Sequence, residues 1–255
     1  MKIVTWNVNS IRARIERLLA LLDRHAPDVV CLQEIKVASD AFPYEAIADA
    51  GYQSAVYGQK TYNGVAILSK ASPDAVAQGF DDGGDETQAR ALSASFGATQ
   101  VVCVYVPNGK SVENEAYGYK LEWLARLRDH VDRIAKPDQE IVVLGDFNVA
   151  PADADVHDPE AWRDAILCSG PERQALCALE DWGLRDAFRA LHPDSVAFTW
   201  WDYRQLGFPK NRGLRIDHLW MSPPLLARCS SVEVDRDERK GKGPSDHAPV
   251  VAILD

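Results

Sequence analysis

No apolar run in this 255-residue chain approaches the ~20 residues that cross a bilayer, which predicts a protein with no membrane partner. The N-terminus, Met1-Lys2-Ile3-Val4-Thr5-Trp6-Asn7, enters a strand-like pattern at once and lacks the charged-then-apolar order of a secretion signal. No Gly/Ser linker, Pro-rich tract, low-complexity segment or short-period repeat divides the chain. A single domain over residues 1–255 is the simplest expectation. The five cysteines (Cys31, Cys103, Cys168, Cys177 and Cys229) are odd in number and lack C-x-x-C spacing. Two of them sit in apolar runs, so buried reduced thiols are expected, and with them a cytoplasmic location. A basic surplus is also missing. The formal net charge of -10 excludes a protein that coats nucleic acid non-specifically, but it leaves room for an enzyme with a local basic surface.

What the chain does have is strong periodicity. Residues 2–8 alternate like a strand. Asn9-Ser10 offers a cap to a helix whose apolar face carries Ile11, Ile15, Leu18, Leu19 and Leu22, and Pro27 ends it. Asp28–Gln33 reads as a short buried strand, and a helix over Tyr44–Ala50 ends at Gly51. Further strands are expected near 52–57, 64–69, 91–96, 100–106, 141–144, 214–221 and 248–254. Helices are expected over 114–135 and 172–182. Helices alternate with some strands while other strands run consecutively, which predicts an α/β fold with mixed sheets. So many strands are best buried in two packed mixed β-sheets flanked by helices, a four-layer α/β sandwich. The stretch Asp81-Asp82-Gly83-Gly84-Asp85-Glu86 reads as a flexible exposed turn, with calcium binding as the alternative.

Several of these strands end in residues that bind metals or move protons. They are Asn7, Glu34, Tyr105 followed by Asn108, Asp146 with Asn148, Asp217 and Asp246-His247. Each alone is an ordinary turn residue. Together they match the tendency of α/β folds to gather ligands at strand ends. Oxygen donors with one imidazole, and no cysteine set, suit Mg²⁺ or Mn²⁺ better than structural zinc.

Gln33-Glu34, Gly145-Asp146-Phe147-Asn148-Val149, Arg215-Ile216-Asp217-His218 and Ser245-Asp246-His247 resemble the exonuclease III branch of the endonuclease/exonuclease/phosphatase superfamily. Trp6-Asn7-Val8-Asn9, Asn63-Gly64-Val65-Ala66, Thr199-Trp200-Trp201-Asp202-Tyr203-Arg204 and Asn211-Arg212-Gly213-Leu214-Arg215 extend the match across the whole chain. The resemblance implies a DNA-repair nuclease with 3′-5′ exonuclease activity on duplex DNA and incision 5′ to apurinic/apyrimidinic sites. The open alternative is a superfamily phosphoesterase acting on a non-DNA substrate.

The resemblance also implies roles. Glu34 is the main metal ligand, assisted by Asn7 and Asp246, with Asp146, Asn148 and His247 also facing the ion. Asp146 activates the attacking water. Asn148 hydrogen-bonds the water or the transition-state oxygen. His247 contacts the scissile phosphate, Asp217 fixes its tautomer, and Tyr105 sets its hydroxyl against the phosphate. His218 points to the opposite strand face and is structural. DNA contacts fall on Arg90, Asn108, Lys210, Arg212, Arg215, Lys240 and Lys242. Trp201 and Phe208 are expected near an apolar pocket for an abasic sugar, with Trp200 in the core. The expected partner is double-stranded DNA with abasic sites or 3′ ends, bound by a monomer.

Overall fold

The strand residues alternate between two apolar environments, and this builds the layers. In the computed structural model, which describes residues 1–255, the first strand turns Ile3 toward one apolar cluster and Val4 and Trp6 toward another. The elements run in chain order as β1 (Lys2–Asn7), α1 (Ile11–His25), β2 (Val29–Gln33), α2 (Tyr44–Asp49), β3 (Gln53–Tyr57) and β4 (Val65–Ser69). Then come β5 (Ala75–Gln78), β6 (Ala91–Phe96), β7 (Thr99–Tyr105), α3 (Glu115–Ile134) and β8 (Ile141–Asp146). They close with α4 (Gly170–Trp182), β9 (Arg185–Asp186), α5 (Ala187–Leu191), β10 (Asp217–Met221), α6 (Pro223–Leu226), β11 (Cys229–Val234) and β12 (Val250–Leu254).

Two six-stranded sheets result, in the orders β11-β12-β1-β2-β4-β3 and β5-β6-β7-β8-β10-β9. Only β1–β2 and β7–β8 pair in parallel, each through a crossover helix, so both sheets are mixed. Ile3, Val29, Cys31, Cys103, Val142 and Leu144 fill the space between the sheets. Val30, Leu32, Leu18 and Leu21 pack the outer face of the first sheet against α1. Val102, Val143, Leu124, Leu127 and Leu176 pack the second sheet against α3 and α4. Helix, sheet, sheet and helix are the four layers, and strands buried on both faces account for their near-continuous apolar sequence.

Some details depart from the sequence reading. Ser10 does not cap α1; its φ is 89° and its side chain makes no cap bond. Instead the Ser10 and Ile11 N–H groups donate to the Glu34 and Ile35 carbonyls, which ties the helix start to the end of β2. The acidic loop is tied to α3 by an arginine. Arg126 on α3 donates to both Asp82 oxygens (2.7 and 2.8 Å) and to Glu86 (2.9 Å), and these bonds hold the Asp82 carboxyl well below its usual range. The cysteines form no disulfide, and four of the five are buried; Cys177 is exposed. No helix is long and apolar enough to cross a membrane.

Candidate active site

Strand register brings the polar strand ends together. Asn7 is opposite Gln33 across β1–β2, and Asp146 is opposite both Tyr105 and Asp217 across β7–β8–β10. Gly145 makes this approach feasible. Its φ is 151°, and a Cβ there would lie 1.9 Å from the Val104 carbonyl oxygen, so only glycine lets β8 sit this close to β7. Glu34 and Asn148 both adopt left-handed backbone (φ 50°) just past their strands. Such conformations persist where neighbours over-determine them. Here the Ile35 and Lys36 N–H groups donate to Gly64 and Asn63, and the Asn148 N–H donates to Asp146 Oδ1 (2.9 Å).

The cleft, of about 380 Å³, opens between the sheets at these ends. Its polar wall is Glu34, Tyr105, Asn108, Asp146, Asn148, Asp246 and His247. Asp217 stands behind His247 with both carboxylate oxygens near Nδ1 (2.9 and 3.1 Å), so Nε2 faces the cleft, 3.8 Å from Asp146 Oδ2. Burial disfavours a charged imidazole, but Asp217 and Asp146 outweigh it and push His247 up to about 10. Burial raises Asp146 to about 7; His247 opposes the shift, while Asp217 and Glu34 add to it. Burial, then Glu34 and Asp146, push the Tyr105 hydroxyl well above its usual value, so it stays protonated. Arg90 donates to the Tyr105 carbonyl (3.1 Å) and lies over its ring (4.6 Å).

Glu34, Asp146 and His247 each bring one ligand atom within 4.8 Å of the others. Two carboxylates also converge on one point: Asn7 Nδ2 donates to Glu34 Oε1 (2.8 Å) and Asp146 Oδ2 (2.9 Å). Lys36 Nζ pairs with the other Glu34 oxygen (2.8 Å), and the oxygen-rich set at this point fits a hard divalent cation. Asn7 Oδ1 accepts the Asn9 N–H (3.0 Å), which turns its Nδ2 toward the two carboxylates. Asp246 lies outside the three-ligand group, with its oxygens accepting from Asn9 (2.9 Å) and Trp200 Nε1 (3.0 Å). Burial opposes its charge, but His247 and these bonds hold its carboxyl below the usual range.

Three residues expected at the DNA or the abasic pocket lie elsewhere. Arg215 is 1% exposed and ion-pairs with Asp155 and Asp186, both at 2.7 Å, so it ties loops together beneath the surface. Trp201 is fully buried with Phe198 and Ala248, and Phe208 packs edge-on against it. Trp200 lines the cleft instead, with Trp162, Ile166, Leu167 and Ile216. Consecutive residues of an extended segment face opposite sides, so one tryptophan enters the core and its neighbour the cleft. Lys210, Arg212, Lys240 and Lys242 are exposed. His218 is buried and bonds the Val149 carbonyl (2.9 Å), the structural part expected of it.

Residues 4–247 match the model of the Endonuclease/Exonuclease/phosphatase family. The chain is 39% identical to the exodeoxyribonuclease III of Haemophilus influenzae, over 99% of each protein. It superposes with a TM-score of 0.97 on a 3′ phosphatase from Neisseria bound to a product DNA hairpin, at 43% identity over 100% of this chain and 99% of that one. An AP endonuclease from Archaeoglobus fulgidus gives 0.96 at 35% identity, over 100% and 99%. With a cleft of this chemistry and relatives matched end to end, the chain belongs to the endonuclease/exonuclease/phosphatase family, among the exodeoxyribonuclease III and AP endonuclease enzymes.

Proposed function

We propose that the protein is a DNA-repair nuclease that hydrolyses phosphodiesters at 3′ ends and 5′ to abasic sites, with Mg²⁺ as its metal. The observation that carries this reading is Asp146 held between Glu34 and His247, with Asp217 behind the imidazole. Held mainly by Glu34, the metal would supply charge neutralisation for the phosphate and its leaving oxygen.

The chain's own residues supply the rest. Asp146, with a pKa near neutrality, accepts the proton of the attacking water. His247, kept protonated by Asp217, donates from Nε2 to a phosphate oxygen as negative charge develops. Asn148 spends one amide hydrogen on the Val106 carbonyl (3.0 Å) and offers the other to the reacting oxygens. Tyr105 donates its hydroxyl to the same phosphate. Trp200, Ile216 and Ile166 form an apolar wall that suits a base-free sugar and excludes water. Asn108, Lys210, Arg212, Lys240 and Lys242 contact the DNA backbone, and the enzyme acts as a monomer in the cytoplasm.

The test is a Mg²⁺-supplemented assay on two labelled duplexes, one with an abasic site and one with a matched 3′ end. Wild type cleaves both. Asp146→Asn lowers turnover about 10²–10⁴-fold, the usual contribution of general acid-base catalysis. A variant with full rate would remove Asp146 from the mechanism, and cleavage of neither duplex would end the nuclease reading.

A further inference from the structure

Behind the cleft lies an ion pair that no part of this mechanism uses. Lys120 on α3 and Glu172 on α4 have no exposed side-chain surface, and their charged ends touch. A buried pair is weak evidence for stability, because desolvation consumes most of its Coulombic gain. Its other partners are more informative.

Lys120 Nζ donates to the Asn148 carbonyl (2.6 Å) and the Asn108 carbonyl (3.2 Å). With Glu172 as the third acceptor, all three ammonium hydrogens are used. Glu172 accepts the Leu167 N–H (3.1 Å) on one oxygen; on the other it accepts the Ser169 N–H (3.0 Å) and hydroxyl (2.6 Å). Tyr117, one turn before Lys120, hydrogen-bonds the Ser169 hydroxyl at 2.7 Å. Asn108, Asn148 and Leu167 all line the cleft, and they come from three different loops.

Those loops carry unusual backbone. Asn148 has φ 50°, Lys110 62° and Leu167 71°, all in the left-handed region, which costs a side-chain-bearing residue free energy. Gly109 lets its loop close on the pair: a Cβ there would lie 2.9 Å from Ile166 Cδ1 and 3.2 Å from Lys120 Cδ. The loops also grip one another, since Asn108 Nδ2 donates to Asn148 Oδ1 (3.1 Å) and the Ala150 N–H to the Leu167 carbonyl (2.7 Å). Remove the ammonium, and the buried Asn148 carbonyl and the partly buried Asn108 carbonyl lose their donor. Remove the carboxylate and two buried N–H groups lose their acceptor.

We propose that Lys120 and Glu172 are positioning residues: without touching DNA, the pair fixes Asn148 against the reacting oxygens and Leu167 in the apolar wall. This rests on the nuclease reading above. In catalysis, a displacement of about 1 Å costs on the order of 10²-fold in rate.

The experiment measures kcat and KM on labelled duplex DNA with Mg²⁺ for wild type, Lys120→Met, Glu172→Gln and the double variant. Each is assayed well below its own unfolding midpoint, so that lost stability alone leaves the rate unchanged. The expected result is a fall in kcat of about 10- to 100-fold in each single variant, with KM near wild type. The double variant, which removes both buried charges, loses no more than the worse single, because the pair acts as one unit. Wild-type kcat in a folded Lys120→Met, or a loss confined to KM, overturns the inference and leaves the nuclease reading standing. A wild-type protein that cleaves no DNA overturns the nuclease reading itself. Where Lys120→Met does not fold, Tyr117→Phe with Ser169→Ala loosens Glu172 without orphaning a charge. A smaller fall in kcat at constant KM then supports the inference, and an unchanged kcat overturns it.

Discussion

At the scale of single residues, the proposed chemistry depends on two buried groups whose proton affinities are raised together. His247 illustrates the consequence for folding. Its folded-state pKa, about 10, lies above the ordinary value of 6.5. A raised base contributes stability that is complete below the unfolded pKa and lost as pH rises through the folded one. Asp146, raised from 3.8 to about 7, acts in the same sense at lower pH, since the folded state holds a proton that the unfolded chain releases. Both therefore weaken the metal-free fold as pH rises. In chelator, the unfolding midpoint should fall between pH 7 and pH 10, on a scale of about 1.4 kcal/mol per pKa unit. Asp217→Asn, which removes the first counter-charge on the ring, should flatten that slope; thermal unfolding across the range checks it. An equal slope in both proteins would mean that His247 is not charged in the folded state.

At the scale of elements, the two tryptophans after Thr199 separate what the sequence could convey from what it could not. The strand-end set Asn7, Glu34, Asp146, Asp217 and His247 was legible because the first three follow runs of strand-forming apolar residues and the last two stand at the start of such runs. Parallel crossovers then leave such ends on one edge. The phase of Trp200-Trp201 was not legible. Local sequence says that they face opposite ways, but only the bridges from Trp200 to Leu214 and His247 decide which one meets the cleft. Arg215 was misread for a related reason: its acid partners, Asp155 and Asp186, are far away in sequence. The strands β5, β9 and β11 escaped notice because they are sheet-edge strands, and the first two are also very short. The tryptophan assignment makes a paired prediction. Trp201→Ala should destabilise the fold by about 3–5 kcal/mol, as for a large core aromatic, with little change in kcat for molecules that remain folded. Trp200→Ala should cost little stability yet lower kcat/KM, because it opens the apolar wall and removes the donor to Asp246. Denaturant unfolding beside steady-state kinetics distinguishes the two, and the reverse pattern would exchange their assignments.

At the scale of the whole molecule, a net charge of -10 opposes approach to DNA, so binding must rely on a local surface of the other sign. The segment before Ser245 is a candidate for that surface because it is held out rigidly. Arg17 on α1 donates to the carbonyls of Glu238, Lys240 and Lys242, while Arg14 and Tyr203 hold the Pro244 carbonyl. These contacts use up backbone acceptors and leave the two lysine ammonium groups at the surface. The two are unequal, since Lys240 lies 2.6 Å from Asp237, whereas Lys242 forms no ion pair. A cation already matched by an acid releases fewer counterions when it meets a phosphate. The logarithm of DNA affinity falls linearly with the logarithm of salt concentration, by about 0.9 for each phosphate neutralised on a duplex. Lys242→Ala should therefore reduce that slope by nearly one such step, and Lys240→Ala by less. Turnover at saturating DNA should be unchanged in both, because neither side chain reaches the cleft. Titrations of labelled duplex at several salt concentrations measure the slopes. Equal, undiminished slopes in both variants would show that DNA passes over a different face, and the lysine loop would then serve only to position Asp246 and His247.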